Sequence, residues 1–255
     1  MSNLKKRLIS VVSILDEMVV QSKGFKKYLP IGSPEIVVEN LARWGSDEIL
    51  VQCFKRSKYN NGPDFQILES IVNFKNATPI IYAGGIRDKK DALNVIKAGA
   101  ERVVIGYSFF KDLNIKNLED IANTIGRQSL ILSLPTIKKK NILYVYDYIN
   151  QITFKYNKIN FNELKNIVSE IIITDVTNEG YYNRFDQGIF ELAKKIPIPL
   201  IFFGGLNSKS KIHEIIKNNK TAAIGIGNFL NFKEHAFQII SKESKYLRNP
   251  YYEKK

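Results

Sequence analysis

Two glycine pairs, Gly84-Gly85 and Gly204-Gly205, each stand between a short run of β-branched and apolar residues and a helical pattern. Glycine at such a turn lets backbone N–H groups approach an anion, so each pair is a candidate phosphate cradle. One strand later Gly106-Tyr107-Ser108 and Gly227-Asn228 repeat the arrangement. Two opposed cradles suit a ligand with a phosphate at both ends. Tight βα turns alone would use the same glycines, and the duplication is what points to binding. Basic residues fall nearby: Lys23, Lys26 and Lys27 after the first predicted strand, Lys55, Arg56 and Lys58 after the second, and Lys138, Lys139 and Lys140 after the fifth. There they focus an anionic ligand or remain solvated loop lysines.

These residues need elements to position them. Short apolar runs recur at 8–14, 49–54, 79–83, 102–106, 129–134, 171–175, 199–203 and 222–226, separated by helical patterns such as 34–41 and 88–97. Continuous apolar runs of this length suit strands buried on both faces. Ser33 at the N-cap and Pro34 at the first helical position mark the start of the first helix. The alternation predicts a parallel sheet closed as a (βα)8 TIM barrel, with any ligand at the C-terminal ends of its strands. Glu48-Ile49-Leu50 matches Glu170-Ile171-Ile172 at a shift of 122 residues, and Ala83-Gly84-Gly85-Ile86 matches Phe203-Gly204-Gly205-Leu206 at a shift of 120. The barrel therefore reads as two similar half-barrels. With no Pro/Gly/Ser-rich linker between them, residues 1–240 are expected to form one domain and 241–255 a loosely held charged tail.

The 255 residues, 44% apolar and 25% charged, are enough for one sizeable core and too apolar for a disordered chain. The net charge is +13, but Lys far outnumbers Arg among the 38 basic residues. Nucleic-acid readers lean on Arg, so no nucleic-acid partner is expected. The single cysteine, Cys53, excludes internal disulfides and Cys-based zinc sites. No metal and no cofactor is implied. Lys5-Lys6-Arg7 and the following apolar run superficially look like a signal peptide, but Asp16 and Glu17 end the run without a cleavage site. No uncharged run is long enough for a membrane span, and the expected location is cytoplasmic.

Arg7-Leu8-Ile9, Asp47-Glu48-Ile49, Ala83-Gly84-Gly85-Ile86-Arg87, Ala98-Gly99-Ala100, Glu170-Ile171-Ile172-Ile173-Thr174 and Gly204-Gly205 together resemble the cyclase subunit (HisF) family of imidazole glycerol phosphate synthase. The resemblance covers nearly the whole chain. Phe25-Lys26-Lys27-Tyr28-Leu29-Pro30-Ile31-Gly32-Ser33-Pro34 and Gly62-Pro63-Asp64-Phe65-Gln66-Ile67-Leu68-Glu69 look more like HisF-like paralogues of surface-polysaccharide amidation clusters. The resemblance implies a glutaminase partner (HisH-like) on the bottom face and ammonia passing up the barrel to a phosphate-bearing small molecule. It places a gate of charged residues at Arg7, Glu48, Arg102 and Glu170. It puts the first phosphate cradle at Gly84, Gly85, Gly106, Tyr107 and Ser108, and the second at Glu179, Gly180, Gly204, Gly205, Gly227 and Asn228, with Arg184 where the family has glycine.

It also puts the family's catalytic aspartates at positions held here by Ser13 and Pro135, with Cys53 replacing a further aspartate and Gln21 a lysine. Neither Ser nor Pro is a general acid near neutral pH. Asp175 lies near a lost position, but strand alternation turns it away. Cys53 is a nucleophile only if activated, and otherwise a buried thiol. Three readings follow: a HisF-like subunit relaying ammonia for amidation of a surface-polysaccharide or nonulosonic-type sugar, the histidine-biosynthesis cyclase itself, or a non-catalytic scaffold that activates the glutaminase.

Overall fold

The computed structural model describes residues 5–75, 77–232, 236–242 and 246–248. Its strands are β1 (Arg7–Leu15), β2 (Met18–Lys23), β3 (Lys27–Gly32), β4 (Glu48–Cys53), β5 (Ile80–Ala83), β6 (Arg102–Ile105), β7 (Leu130–Lys139), β8 (Ile142–Asp147), β9 (Ile152–Lys155), β10 (Glu170–Asp175), β11 (Leu200–Phe203) and β12 (Thr221–Ile226). Parallel pairing runs β1-β4-β5-β6-β7-β10-β11-β12 and returns to β1. This is the expected eight-stranded parallel barrel with helices around it.

Period-2 alternation sorts the apolar side chains into two cores. Ile9, Val11, Leu50, Ile81, Val104, Ile131, Ile172, Ile201, Phe203 and Ala223 fill the barrel's interior. Their neighbours in sequence, such as Leu8, Ile49, Ile80, Val103, Leu132 and Ile171, face the helices in a second, larger cluster. Because both faces of every barrel strand are buried, the strands appear in the sequence as continuous apolar runs.

The helices start where the sequence signals them. Pro34–Arg43 follows Ser33, whose extended backbone fits an N-cap although its hydroxyl makes no capping bond. Lys89–Lys97 is capped by Asp88, which accepts from the backbone N–H of Lys90 and Asp91.

Four strands lie outside the alternation pattern. β1 runs on past the barrel and turns at Asp16-Glu17 into β2, and β2–β3 form a hairpin. β7 likewise runs on and turns at Lys140-Asn141 into β8 and β9. Asp16 and Glu17, like Lys140 and Asn141, have positive φ, as a two-residue turn of the I′ type requires. The lysines placed after strands one and five are therefore largely strand and turn residues. In such half-exposed ribbons lysine occupies the solvent side, which hides the strand pattern.

At the other end, residues 246–248 return to the chain start. Lys6 N–H donates to Tyr246 O at 2.6 Å and Arg248 N–H to Lys6 O at 2.9 Å. Leu247 is buried, so this part of the expected tail is held by an apolar anchor. Residues 243–245 and 249–255 lie outside the described residues. No helix among the described residues is long and apolar enough to cross a membrane.

Candidate functional site

The strand starts bring Arg7, Glu48, Arg102 and Glu170 together in one closed ring. Arg7 Nη1 lies 2.8 Å from Glu48 Oε2, and its Nη2 pairs with Glu170 Oε1. Arg102 Nη1 lies 3.4 Å from Glu48 Oε1, and its Nη2 lies 2.6 Å from Glu170 Oε2. Each carboxylate thus bridges both arginines. The side chains are only 9% to 15% exposed. Arg102 also donates to Ser169 Oγ at 2.8 Å. Two residues further along each strand stand Ile9, Leu50, Val104 and Ile172, all in the inner apolar cluster. The ring therefore caps the bottom of an apolar lumen.

Above the lumen opens a cleft of about 780 Å³. Its floor carries Gln52, Ser133 and Thr174, its walls many aromatic rings, and its rim Lys23, Lys26, Lys27, Lys55 and Lys58. Among the described residues no Asp, Glu or His lines it. Arg56, Lys138 and Lys139 are committed elsewhere. Arg56 donates to Gly62 O and Pro63 O of its own loop and pairs with Asp64. Lys138 pairs with Asp186 at 2.9 Å, and Lys139 donates to Thr153.

Pro135 and Cys53 line this cleft, whereas Ser13 shares a small crevice with Val19 and Val20 under β2. The Cys53 thiol is hydrogen-bonded to Tyr82, and burial pushes its pKa up to about 12. It is a packed thiol, not an activated nucleophile. Asp175 points away, as alternation requires, and accepts from Asn178 N, Asn178 Nδ2 and Asp186 N. Asp16 is exposed and pairs with Lys55 at 3.2 Å. Among the described residues no group of three or more His, Cys, Asp or Glu could hold a metal ion.

The two glycine cradles differ. Gly84, Gly85, Gly106 and Tyr107 all line the large cleft. Gly85 has a φ of 70° and donates its N–H to Ser57 Oγ at 3.3 Å, and a Cβ there would meet Gly62 O at 2.1 Å. Only glycine fits that turn. Ser108 does not join the cleft: its hydroxyl donates to Ile86 O at 2.9 Å.

Glu179, Gly180, Gly204, Gly205, Gly227 and Asn228 line a separate hollow of about 250 Å³ that shares Tyr181 and Phe203 with the cleft. Here the tip of the β2–β3 hairpin is bound. Glu179 accepts from Ser22 Oγ at 2.8 Å and Phe25 N at 3.2 Å, and its backbone carbonyl from Gly24 N at 2.9 Å. Asn228 Nδ2 donates to Ser22 O. Burial raises the Glu179 pKa above the usual carboxylate range. Arg184 is not part of this hollow and lies over the Tyr181 ring, 5.1 Å from its centroid.

Sequence reasoning missed the rings that the hairpins add to the cleft: Phe25 and Tyr28 from the first, Tyr146 and Tyr148 from the second. The spacing of Tyr144, Tyr146 and Tyr148 is a strand signal once the turn before it is recognised.

Comparison with known proteins gives a consistent picture. The family model described as "Histidine biosynthesis protein" matches residues 7–236. The chain is 27% identical over 238 residues to "Putative imidazole glycerol phosphate synthase subunit hisF2" of Vibrio vulnificus (strain YJ016), covering 91% of this chain and 86% of that protein. It is 22% identical over 242 residues to "Imidazole glycerol phosphate synthase subunit HisF" of Clostridium botulinum (strain Alaska E43 / Type E3), covering 93% and 94%. With the protein of that same name from Dictyoglomus thermophilum (strain ATCC 35947 / DSM 3960 / H-6-12) it shares 24% over 233 residues, covering 89% and 90%.

Proposed function

The chain belongs to the histidine biosynthesis protein family, and from that membership we propose that it is a HisF-like barrel subunit of a glutamine-dependent amidotransferase system. A HisH-like glutaminase docks on the bottom face and releases ammonia, which passes the ring of Arg7, Glu48, Arg102 and Glu170 and rises through the apolar lumen. The amidated molecule is a surface-polysaccharide or nonulosonic-type sugar, and the assembly works in the cytoplasm without metal or cofactor. No nucleic acid and no membrane takes part.

The observation that carries this reading is the contrast between the closed ring and a cleft wall without carboxylate or histidine. Neutral ammonia crosses an apolar passage that excludes ions, because an ion would lose its hydration there without gaining a partner. The relay end is thus equipped, while among the described residues no Asp, Glu or His lines the cleft to serve as general acid and base for the ribonucleotide cyclisation. The glycines at Gly84-Gly85 and Gly204-Gly205 and the rim lysines support an anionic ligand there.

The test is glutaminase activity of a HisH-type partner with and without this chain. Stimulation together with complex formation is the expected result, and absence of both overturns the reading. The names of the relatives favour the cyclase as the second reading. Turnover of its ribonucleotide with ammonium salts would establish it, and none is expected.

A further inference from the structure

The large cleft reaches almost to the charged ring. Leu50, Val104 and Ile172 line its lowest part, and each stands two residues beyond a ring member, Glu48, Arg102 or Glu170, on its own strand. One apolar layer therefore separates the ring from the cleft. The next inward-facing position on β4 is Gln52. Its Nε2 is buried and has no hydrogen-bond partner among the described residues. Around the eight-stranded barrel β10 lies four places from β4, and β7 lies beside β10. Thr174 and Ser133, the other polar residues of the cleft floor, thus stand on the wall opposite Gln52. Their strands carry Ile172 and Ile131 at the inward position below.

The charges around this floor favour an uncharged occupant. Among the described residues no carboxylate or histidine lines the cleft, and Lys23, Lys26, Lys27, Lys55 and Lys58 stand on its rim. Nearby cations disfavour the protonated form of an amine. A buried amide N–H without an acceptor is costly, and whatever satisfies it must carry a lone pair. Neutral ammonia carries a lone pair, and its N–H groups can donate to hydroxyl oxygens. An ammonium ion has only N–H groups and leaves the Gln52 donor unpaired.

We propose that Gln52 receives ammonia where the lumen meets the cleft, and that it takes the neutral molecule and not the ammonium ion. Gln52 Nε2 donates to the nitrogen lone pair, and the hydroxyls of Ser133 and Thr174 offer acceptors for the N–H groups. This rests on the ammonia relay of the proposed function and adds to it a binding site just above the ring. The apolar layer bars an ion from below, since an ion would lose its hydration there. The rim lysines oppose a cation from above. Ammonia held on this floor stays unprotonated, and breaking its single hydrogen bond to Gln52 frees the lone pair for attack.

Carbon-detected NMR of the isotope-labelled full chain tests this by following the Gln52 side-chain amide, whose signal is identified by its loss in Gln52→Met. The chain is titrated with ammonium chloride at roughly pH 7 and roughly pH 9, with potassium chloride as the ionic control. Each titration is read against its own starting spectrum. At equal total concentration the higher pH holds tens of times more neutral ammonia, because ammonium loses its proton in the range of other simple amines. Half-saturation should therefore fall at a total concentration lower by a similar factor. The double variant Ser133→Ala/Thr174→Val should raise the half-saturating concentration about threefold or more, and a thermal midpoint matching the parent's shows that it is folded. Half-saturation at one total concentration at both pH values identifies the ion as the occupant and overturns the proposal. So does a shift no larger than that with potassium chloride, or an unchanged response in the double variant. This titration needs no glutaminase, and the glutaminase assay does not read Gln52, so the two proposals fail separately.

Discussion

The bottom ring and the top cleft of the barrel both concentrate charge, but they arrange it in opposite ways. Below, two arginines and two glutamates cancel within one nearly buried cycle, so no net charge faces the lumen. Above, five lysines line a wide cleft whose wall holds no carboxylate among the described residues. A cancelled ring is a lock: each member is held by two partners, and a lone ion gains nothing by entering. Five cations around a partly apolar cleft, one of them paired with the exposed Asp16 at the rim, make a field that collects anions. Under the proposed function, one end passes a neutral molecule and the other retains a charged one.

Breaking the ring should have the largest effect. Glu48→Ala leaves both Arg7 and Arg102 short of a partner in a nearly buried site, and loss of one partner of a buried pair costs about 3–5 kcal/mol. Denaturant unfolding checks the stability loss. In the complex the same variant should release ammonia into solution instead of up the barrel. If Glu48→Ala unfolds like the parent, the ring is not the lock described.

Introducing carboxylates above comes next. Ser13→Asp places an ionisable group in the crevice under β2, and it should cost about 2 kcal/mol. The double variant Ser13→Asp/Pro135→Asp should still fail to cyclise the ribonucleotide with ammonium salts, because position 13 lies outside the large cleft. Turnover by that variant would erase the functional difference between the ends.

A smaller effect separates the two cradles by pH. Glu179 holds the first hairpin's tip, and burial raises its pKa above the ordinary value of a glutamate. A carboxyl group with a raised folded-state pKa stabilises fully below its unfolded value. That contribution is lost as pH rises through the folded value. Trypsin cleavage at Lys23 and Lys26 should therefore accelerate as pH rises above this range, after correction for the protease's own profile. Glu179→Gln should flatten the dependence, and cleavage in β8–β9 should not change with it.

The smallest effect concerns the Lys55–Asp16 pair at the rim. Both side chains are well exposed, and Lys55→Ala should change stability by no more than about 0.5 kcal/mol. A loss comparable to that of Glu48→Ala would mean that the two ends do not differ in how their charges act.

Much of the frame was legible beforehand for a simple reason. Barrel strands buried on both faces leave short apolar runs that recur in alternation with helical patterns, and both glycine pairs fall at turns that only glycine can make, as Gly85 shows. The hairpins were not legible, because Lys23, Lys27 and Lys139 on their exposed sides break up the apolar signal. That gap hid Tyr148 from the cleft and the tip at Ser22–Phe25 from the second cradle. Ser108 shows the same limit at atomic scale: a serine beside a glycine turn fits a phosphate, and its hydroxyl instead satisfies Ile86 O.

By itself, the amino-acid sequence determined the number and order of the barrel strands, the likeness of the two halves and the presence of Ser13 and Pro135 towards the ends of the first and fifth of those strands. Those properties follow from local periodicity and residue type. Tertiary structure alone decided that four charges far apart in the chain close into one ring, that Arg56 and Lys138 are spent on their own surroundings, and that each hairpin reaches residues of the opposite half. Contacts of that kind depend on where the closed barrel brings strand ends in space, which the spacing of residues along the chain does not encode.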